Sequence, residues 1–163
     1  MSKEREQTQM SQKSYLYKKA EIGGYILILP ADFEQMSHKE RPLKKLGIKE
    51  RDAFVNARKD TFINIVAGPS LDKDAADVLY TICAMQKKKL HFFDLDKVMR
   101  NHVTGAGMAL YTFSDDKGNR QAHLWGLWPG ESSLFVELQC RAEHIPIWES
   151  EFYRLLGSIQ ERQ

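Results

Sequence analysis

The sequence predicts an α+β domain in which an antiparallel β-sheet, built from two hairpins and a three-strand meander, packs with two main helices as an α/β sandwich. Three observations lead there. Between Gly107 and Cys140 the apolar runs MALYTF, QAHLWGLW and LFVELQC are separated by the polar turns SDDKGNR and PGESS, the pattern of strands joined tightly. Two further pairs of apolar runs precede them, joined at Gly23-Gly24 and at Lys59-Asp60. Two segments, starting near Leu71 and Pro146, instead carry apolar residues at helical spacing.

The totals narrow the class. A chain of 163 residues with 42% hydrophobic and 28% charged residues can bury roughly two thirds of its unfolded surface, so its core needs no disulfide or metal. A formal charge of +2 lacks the basic excess of a phosphate-binding module, which argues against nucleic acid as a partner. Cys83 and Cys140 fall in a predicted helix and a predicted strand with no metal-ligand spacing, and both are expected as buried, reduced thiols. No apolar run reaches the ~18 residues of a membrane span, and the first residues, MSKEREQTQMSQK, hold no apolar signal region. The expected location is therefore cytoplasmic.

In chain order, residues 1–13 are polar and mixed in charge, so they read as a disordered N-terminal arm, with one domain over 14–163. Ser14 to Ile22 and Tyr25 to Leu29 flank Gly23-Gly24, whose glycines suit a two-residue hairpin. From Ala31 to Arg51 regularity is lost, and Lys39, Arg41, Lys44, Lys45, Lys49 and Arg51 make a local basic loop. Its charge fits a solvated connection, while its length fits a binding loop, since unstructured connections beyond ~12–15 residues are uncommon. Ala53 to Arg58 reads as a strand or a helical turn, and Thr61 to Gly68 as the strand paired with it.

Pro69 stops that strand, and Ser70 is placed to cap a helix carrying Leu71, Ala75, Val78, Leu79, Ile82 and Cys83 on one stripe. Asp72 and Asp74 near its start and Lys87, Lys88 and Lys89 at its end oppose the macrodipole, which accounts for the triple lysine without a ligand. Leu90 to Val103 fits either a broken strand or a helical stripe, with the strand preferred. In neither geometry do His91, Asp94 and Asp96 converge as metal ligands. Gly105 and Gly107 precede a strand and open no helix, so no dinucleotide fingerprint is present.

In the meander, Leu134, Val136, Leu138 and Cys140 form a core face while Phe135, Glu137, Gln139 and Arg141 look outward. MALYTF and HLWGLW are apolar on both faces, as central strands covered on both sides are, or strands whose second cover lies outside the chain. Alternation puts Trp125 and Trp128 on opposite faces. Either helices cover both, or one indole is left at a partner or ligand surface. Pro146 then starts a closing helix with Trp148, Phe152, Leu155 and Ile159 on one side, and the last three residues read as a frayed end.

Catalytic chemistry leaves no signature. No Gly-x-Ser-x-Gly elbow or His-Glu-x-x-His is present, and His38, His91, His102, His123 and His144 are scattered. No cofactor or metal is expected, and His123 reads as a hydrogen-bonded or surface residue. The element order, with the opening phrase GGYILILPADF from Gly23 to Phe33, resembles the PsbP-like α/β sandwich group. That group includes Ran-binding import factors, oxygen-evolving-complex subunits and Eag-type secretion chaperones. The resemblance implies a binding or assembly module and carries over no site residue; the basic stretch from Lys39 to Arg51 is longer than the group's pattern.

The expected function is thus a non-enzymatic protein-binding module, a bacterial cytoplasmic adaptor, secretion chaperone or immunity-type partner working through a sheet face. The partner is another protein or a second copy. Trp125, Trp128 and Phe135 are the candidate contacts on the sheet, and Arg41, Lys44 and Lys45 those in the basic loop. The alternative is a small-molecule or lipid-binding domain, with weak hydrolase activity as an option, whose pocket lies between the sheet and the helix from Leu71 to Lys88.

Overall fold

Each apolar run offers a row of side chains on one face, and the rows meet in two interiors on opposite sides of one sheet. The computed structural model describes residues 16–36 and 50–162. The strands are β1 (Tyr17–Ile22), β2 (Tyr25–Pro30), β3 (Glu34–Gln35), β4 (Glu50–Val55), β5 (Phe62–Gly68), β6 (His91–Arg100), β7 (Gly107–Ser114), β8 (Arg120–Trp128), β9 (Ser133–Arg141) and β10 (Gln160–Glu161). The helices among the described residues are α1 (Ala75–Lys89), α2 (Ile145–Gly157) and a 3-10 turn at Ala142–His144.

The α+β class holds, with the meander inside a seven-stranded antiparallel sheet of order β3-β4-β5-β9-β8-β7-β6. The two hairpins separate: β4 and β5 extend that sheet, whereas β1 and β2 form a second sheet with β10. Gly23 and Gly24 turn the first hairpin at φ 53° and 84°, the left-handed pair that matches strand twist. In the second, the buried side chain of Asn56 organises the turn: its Oδ1 accepts from the backbone N–H groups of Asp60 (3.0 Å) and Thr61 (3.1 Å), and its Nδ2 donates to Asp60 Oδ1 at 2.7 Å. That settles Ala53 to Val55 as strand.

One interior holds Leu27, Leu29, Ile63, Ile65, Val136 and Phe152, between the large sheet and the layer of β1, β2 and α2. The other holds Leu79, Cys83, Tyr111, Trp125 and Leu127 under α1. Cys83 and Cys140 are free and belong to different interiors; burial pushes the first thiol up to about 11 and the second to about 12. The strands β7 and β8 are covered on both sides, which is why both their faces are apolar.

Two predicted ends move. α1 is capped by Asp74, not Ser70: Asp74 Oδ1 accepts from the N–H groups of Ala76 (3.0 Å) and Asp77 (3.3 Å). Arg100 of β6 holds the same oxygen at 2.7 Å, so the cap is tied to the sheet, and this contact keeps the Asp74 carboxyl below its usual range. Glu161 and Arg162, read as part of a frayed end, are held. β10 pairs with β2, the Arg162 N–H donates to Gly24 O at 2.7 Å, and its guanidinium meets Glu21 at 2.9 Å. β6 is extended but irregular, with register shifts between His91 and Asp94 and between Leu95 and Lys97. The arm at 1–13 and the basic-loop residues Arg41, Lys44 and Lys45 lie outside the described residues.

α1 approaches the sheet most closely at Gly107, where an added Cβ would sit 2.8 Å from Ala76 N and 2.9 Å from Ala75 C. Backbone cannot step aside as a side chain can. Gly107→Ala is therefore expected to lower stability by about 1–3 kcal/mol in urea unfolding, and an unchanged midpoint would mean that the helix start yields freely.

Candidate functional site

Cross-strand neighbours in an antiparallel sheet share a face, and the register builds the α1 side of this sheet row by row. Tyr111, His123, Gln139 and Phe62 line up across β7, β8, β9 and β5. The next row is Ala109, Trp125, Glu137 and Asn64, and the one after it contains Leu127, Phe135 and Val66. α1 packs over β6, β7 and β8. Past it, Phe62, Asn64, Val66, Phe135, Glu137 and Gln139 remain half-buried, and no described helix or strand packs on them. This half-face is the candidate site.

Its inner margin is a polar network within an aromatic cluster. Trp125 Nε1 donates to Glu137 Oε2 at 2.7 Å and Asn64 Nδ2 donates to Oε1 at 3.2 Å, so both carboxylate oxygens have a donor. His123 Nδ1 lies 3.9 Å from Glu137 Oε2 and hydrogen-bonds the Tyr111 hydroxyl. Gln86 of α1 donates to that hydroxyl at 3.4 Å. The Tyr111 ring meets Trp125 edge-on at 4.9 Å, Phe113 lies 4.7 Å from His123, and Phe135 packs on Trp125 at 5.5 Å. At the end of the half-face nearest the turns, Phe62, Phe113, Gln121, Gln139 and Arg141 line an open concavity of about 360 Å³.

Burial lowers the His123 pKa, against the opposing pull of the Glu137 charge and a hydrogen bond with Gln139. The imidazole is thereby held neutral. Burial also raises the Tyr111 phenol above its ordinary value, and Tyr111 is 0% exposed. The His123 side chain is 11% exposed, so the pair lies at the inner edge of the half-face and not in it. What the network does is fix Glu137, Trp125 and through it Phe135, so that the half-face beside them is stiff.

The predicted contacts part ways here. Trp125 is 2% exposed and belongs to the interior, because the register places it between Tyr111 and Phe135 under α1, so it is not the indole left over for a partner. Trp128 is half-buried on the opposite face, against the first interior. Phe135 is the one of the three that reaches the open half-face, though its ring is partly packed against the second interior, so it is less outward than alternation alone implied. Over β7 and β8 the space between sheet and α1, where the alternative reading put a ligand, is filled by Leu79, Cys83, Tyr111 and Trp125; concavities remain along β6, one of them lined by Asp94. His91, Asp94 and Asp96 are exposed, and no three metal-binding groups converge among the described residues. Alternation in the last meander strand marked Glu137 and Gln139 as outward, but sequence reasoning missed that Phe62 and Asn64 join them, because only the β5–β9 register brings the two strands together.

No protein-family model matches the chain, and no curated protein matches it. In fold it is similar to the solution structure of cyanobacterial PsbP (CyanoP) from Synechocystis sp. PCC 6803, with a TM-score of 0.61 over 90% of this chain and 92% of that one at 11% identity. It also matches the crystal structure of LpqN, involved in cell envelope biogenesis of Mycobacterium tuberculosis, with a TM-score of 0.47 over 90% and 91% at 12% identity. The fold is PsbP-like, and at such identity fold is what is shared.

The lowered pKa of His123 couples protonation to unfolding. The unfolded chain takes up the proton near the usual 6.5 while the folded chain resists it, so stability is complete above that pH and falls as pH drops from there through the lowered folded value. Tm is expected to decline on acidification before the carboxylates titrate near pH ~4, and His123→Gln should flatten that decline. A decline of equal size in the variant would assign it to other groups.

Proposed function

We propose that this chain is a non-enzymatic protein-binding module that docks its partner on the β5–β9 half of the large sheet. The observation that carries this reading is the half-face itself: Phe62, Val66 and Phe135 alternate there with Asn64, Glu137 and Gln139, beyond the reach of α1 and beside a network that holds it rigid. Apolar anchors among polar groups with settled partners are what a protein interface uses. A surface held in place before contact loses little entropy on binding.

The finer reading is an adaptor, secretion chaperone or immunity-type partner in the bacterial cytoplasm, acting as one domain over 14–163. Arg41, Lys44 and Lys45 join the surface in this proposal as its basic component, from a segment outside the described residues. The PsbP-like fold is compatible with the reading and does not specify it. No helix among the described residues is long and apolar enough to cross a membrane.

The test is a photo-crosslinking residue, p-benzoylphenylalanine, placed at Phe62 in cells and, as a control, at the exposed Val103. A discrete adduct with one protein from position 62, absent from position 103 and lost on adding Phe135→Asp, is the expected result. Identical adduct patterns at both positions, or an adduct indifferent to Phe135→Asp, would remove the half-face as the docking surface. Because Phe135 is only half-buried, the variant should keep its fold, losing about 1–2 kcal/mol in urea unfolding.

A further inference from the structure

The large sheet ends at β6, and no described strand pairs with its outer side. Natural sheets guard such edges with bulges, irregular backbone and charged side chains; in β6 the irregular backbone covers only part of the length, and the cations of the rest, Lys97 and Arg100, are drawn to Glu149 and Asp74. Its two register shifts and the left-handed Phe92 (φ 50°) all precede Lys97. From Lys97 to Arg100 the strand pairs without interruption with Leu110 to Gly107. Beside this regular segment a groove of about 450 Å³ opens between β6 and α1, walled on the helix side by Ala76, Asp77 and Tyr80. A second concavity of about 350 Å³ continues it, and the two meet at Tyr80 and Leu95. Tyr80 is 60% exposed, a large ring standing over a groove whose floor includes Leu95 and Val98.

The charges along the groove have one sign to spare. Lys97 is held by Glu149 at 2.7 Å and Arg100 by Asp74 at 2.7 Å. With its near cations so occupied, the rim keeps Asp77 and Asp96 at only long contact, 3.8 Å from Arg100 and 3.7 Å from Lys97. Asp94 stands in the second concavity with Lys87 across from it. A helix flanking a regular sheet edge is the geometry that accepts an extended segment as an added strand: main-chain hydrogen bonds supply affinity and alternate side chains supply selectivity.

We propose that the β6 edge takes up an extended basic segment of a partner protein as an eighth strand along Lys97–Arg100. Its lysines or arginines face Asp77 and Asp96, and its intervening apolar residues lie against Tyr80 and Val98. This site lies at the far edge of the sheet from β5, so it stands or falls separately from the half-face reading.

The test uses the full chain and a fluorescein-labelled octapeptide of alternating lysine and valine, followed by anisotropy, with amide hydrogen exchange as the second readout. Expected are binding that weakens with salt, protection of the Lys97–Arg100 amides, and a loss of about tenfold in affinity, or 1.4 kcal/mol, on replacing lysine by glutamate or N-methylating alternate peptide residues. Tyr80→Ala and Asp96→Lys, both at exposed positions, should each weaken binding by a similar factor, while Phe135→Asp should not. Equal binding of the N-methylated peptide would show charge attraction without strand addition and overturn the proposal. So would affinity unchanged in both groove variants, or no binding at all. Sedimentation of the free protein as a dimer with Lys97–Arg100 already protected would give the edge to a second copy instead, and overturn it too.

Discussion

A carboxylate drawn out of bulk water needs a donor for each oxygen, and leaving one unmatched costs about 1–3 kcal/mol or more. Glu137 sits in the face of the large sheet with a side chain 19% exposed, and the register of β8, β9 and β5 meets its need from both sides. Trp125 donates from one strand and Asn64 from the other. Shift either flanking strand by one residue and its donor leaves for the opposite face. The carboxylate thus acts as a register pin at the place where the meander joins the second hairpin.

The consequences spread outward from that pin. With its N–H committed to Glu137, the indole of Trp125 lies beneath α1, with Tyr111 on one side and Phe135 on the other. α1 is brought onto the same region by Asp74, which caps it and receives Arg100 from β6, and by Gly107, which lets its start approach β7 closely. A helix so placed covers the β6–β8 side and leaves β5 and β9 without it. Coverage on the other side is fuller, since β1, β2, β10 and α2 together close the first interior. Among the described residues, the uncovered half-face and the groove at the β6 edge are two results of one fact: α1 is narrower than the seven-stranded sheet beside it.

The same geometry joins three ionisable groups at the inner edge of the half-face. Tyr111 is fully buried, while the side chains of His123 and Glu137 are 11% and 19% exposed. Burial withholds the charge from His123 and keeps the phenol protonated, so the three groups serve one another. Tyr111 and His123 bond each other beside the Glu137 carboxylate, which is held by Trp125 and Asn64, and the region so joined tolerates little rearrangement.

The sequence by itself determined most of the elements and the sense of their faces, while Ala53 to Arg58 and Leu90 to Val103 fitted strand or helix alike. Alternation in LFVELQC named Leu134, Val136, Leu138 and Cys140 as core, glycine chemistry named the Gly23-Gly24 turn, and three-four spacing named both helices, because these signals are local and depend on backbone period alone. It did not determine that the first hairpin leaves the main sheet, that Asp74 outcompetes Ser70 as the cap, or that the final residues pair with β2. Each of those rests on a partner far along the chain: Ala67, against which Gly23 lies, Arg100, and Gly24. The fate of the two tryptophans was likewise decided only in three dimensions. Alternation set them on opposite faces, but which face lies under α1 follows from cross-strand register and helix width, and neither is written in the order of residues along one strand.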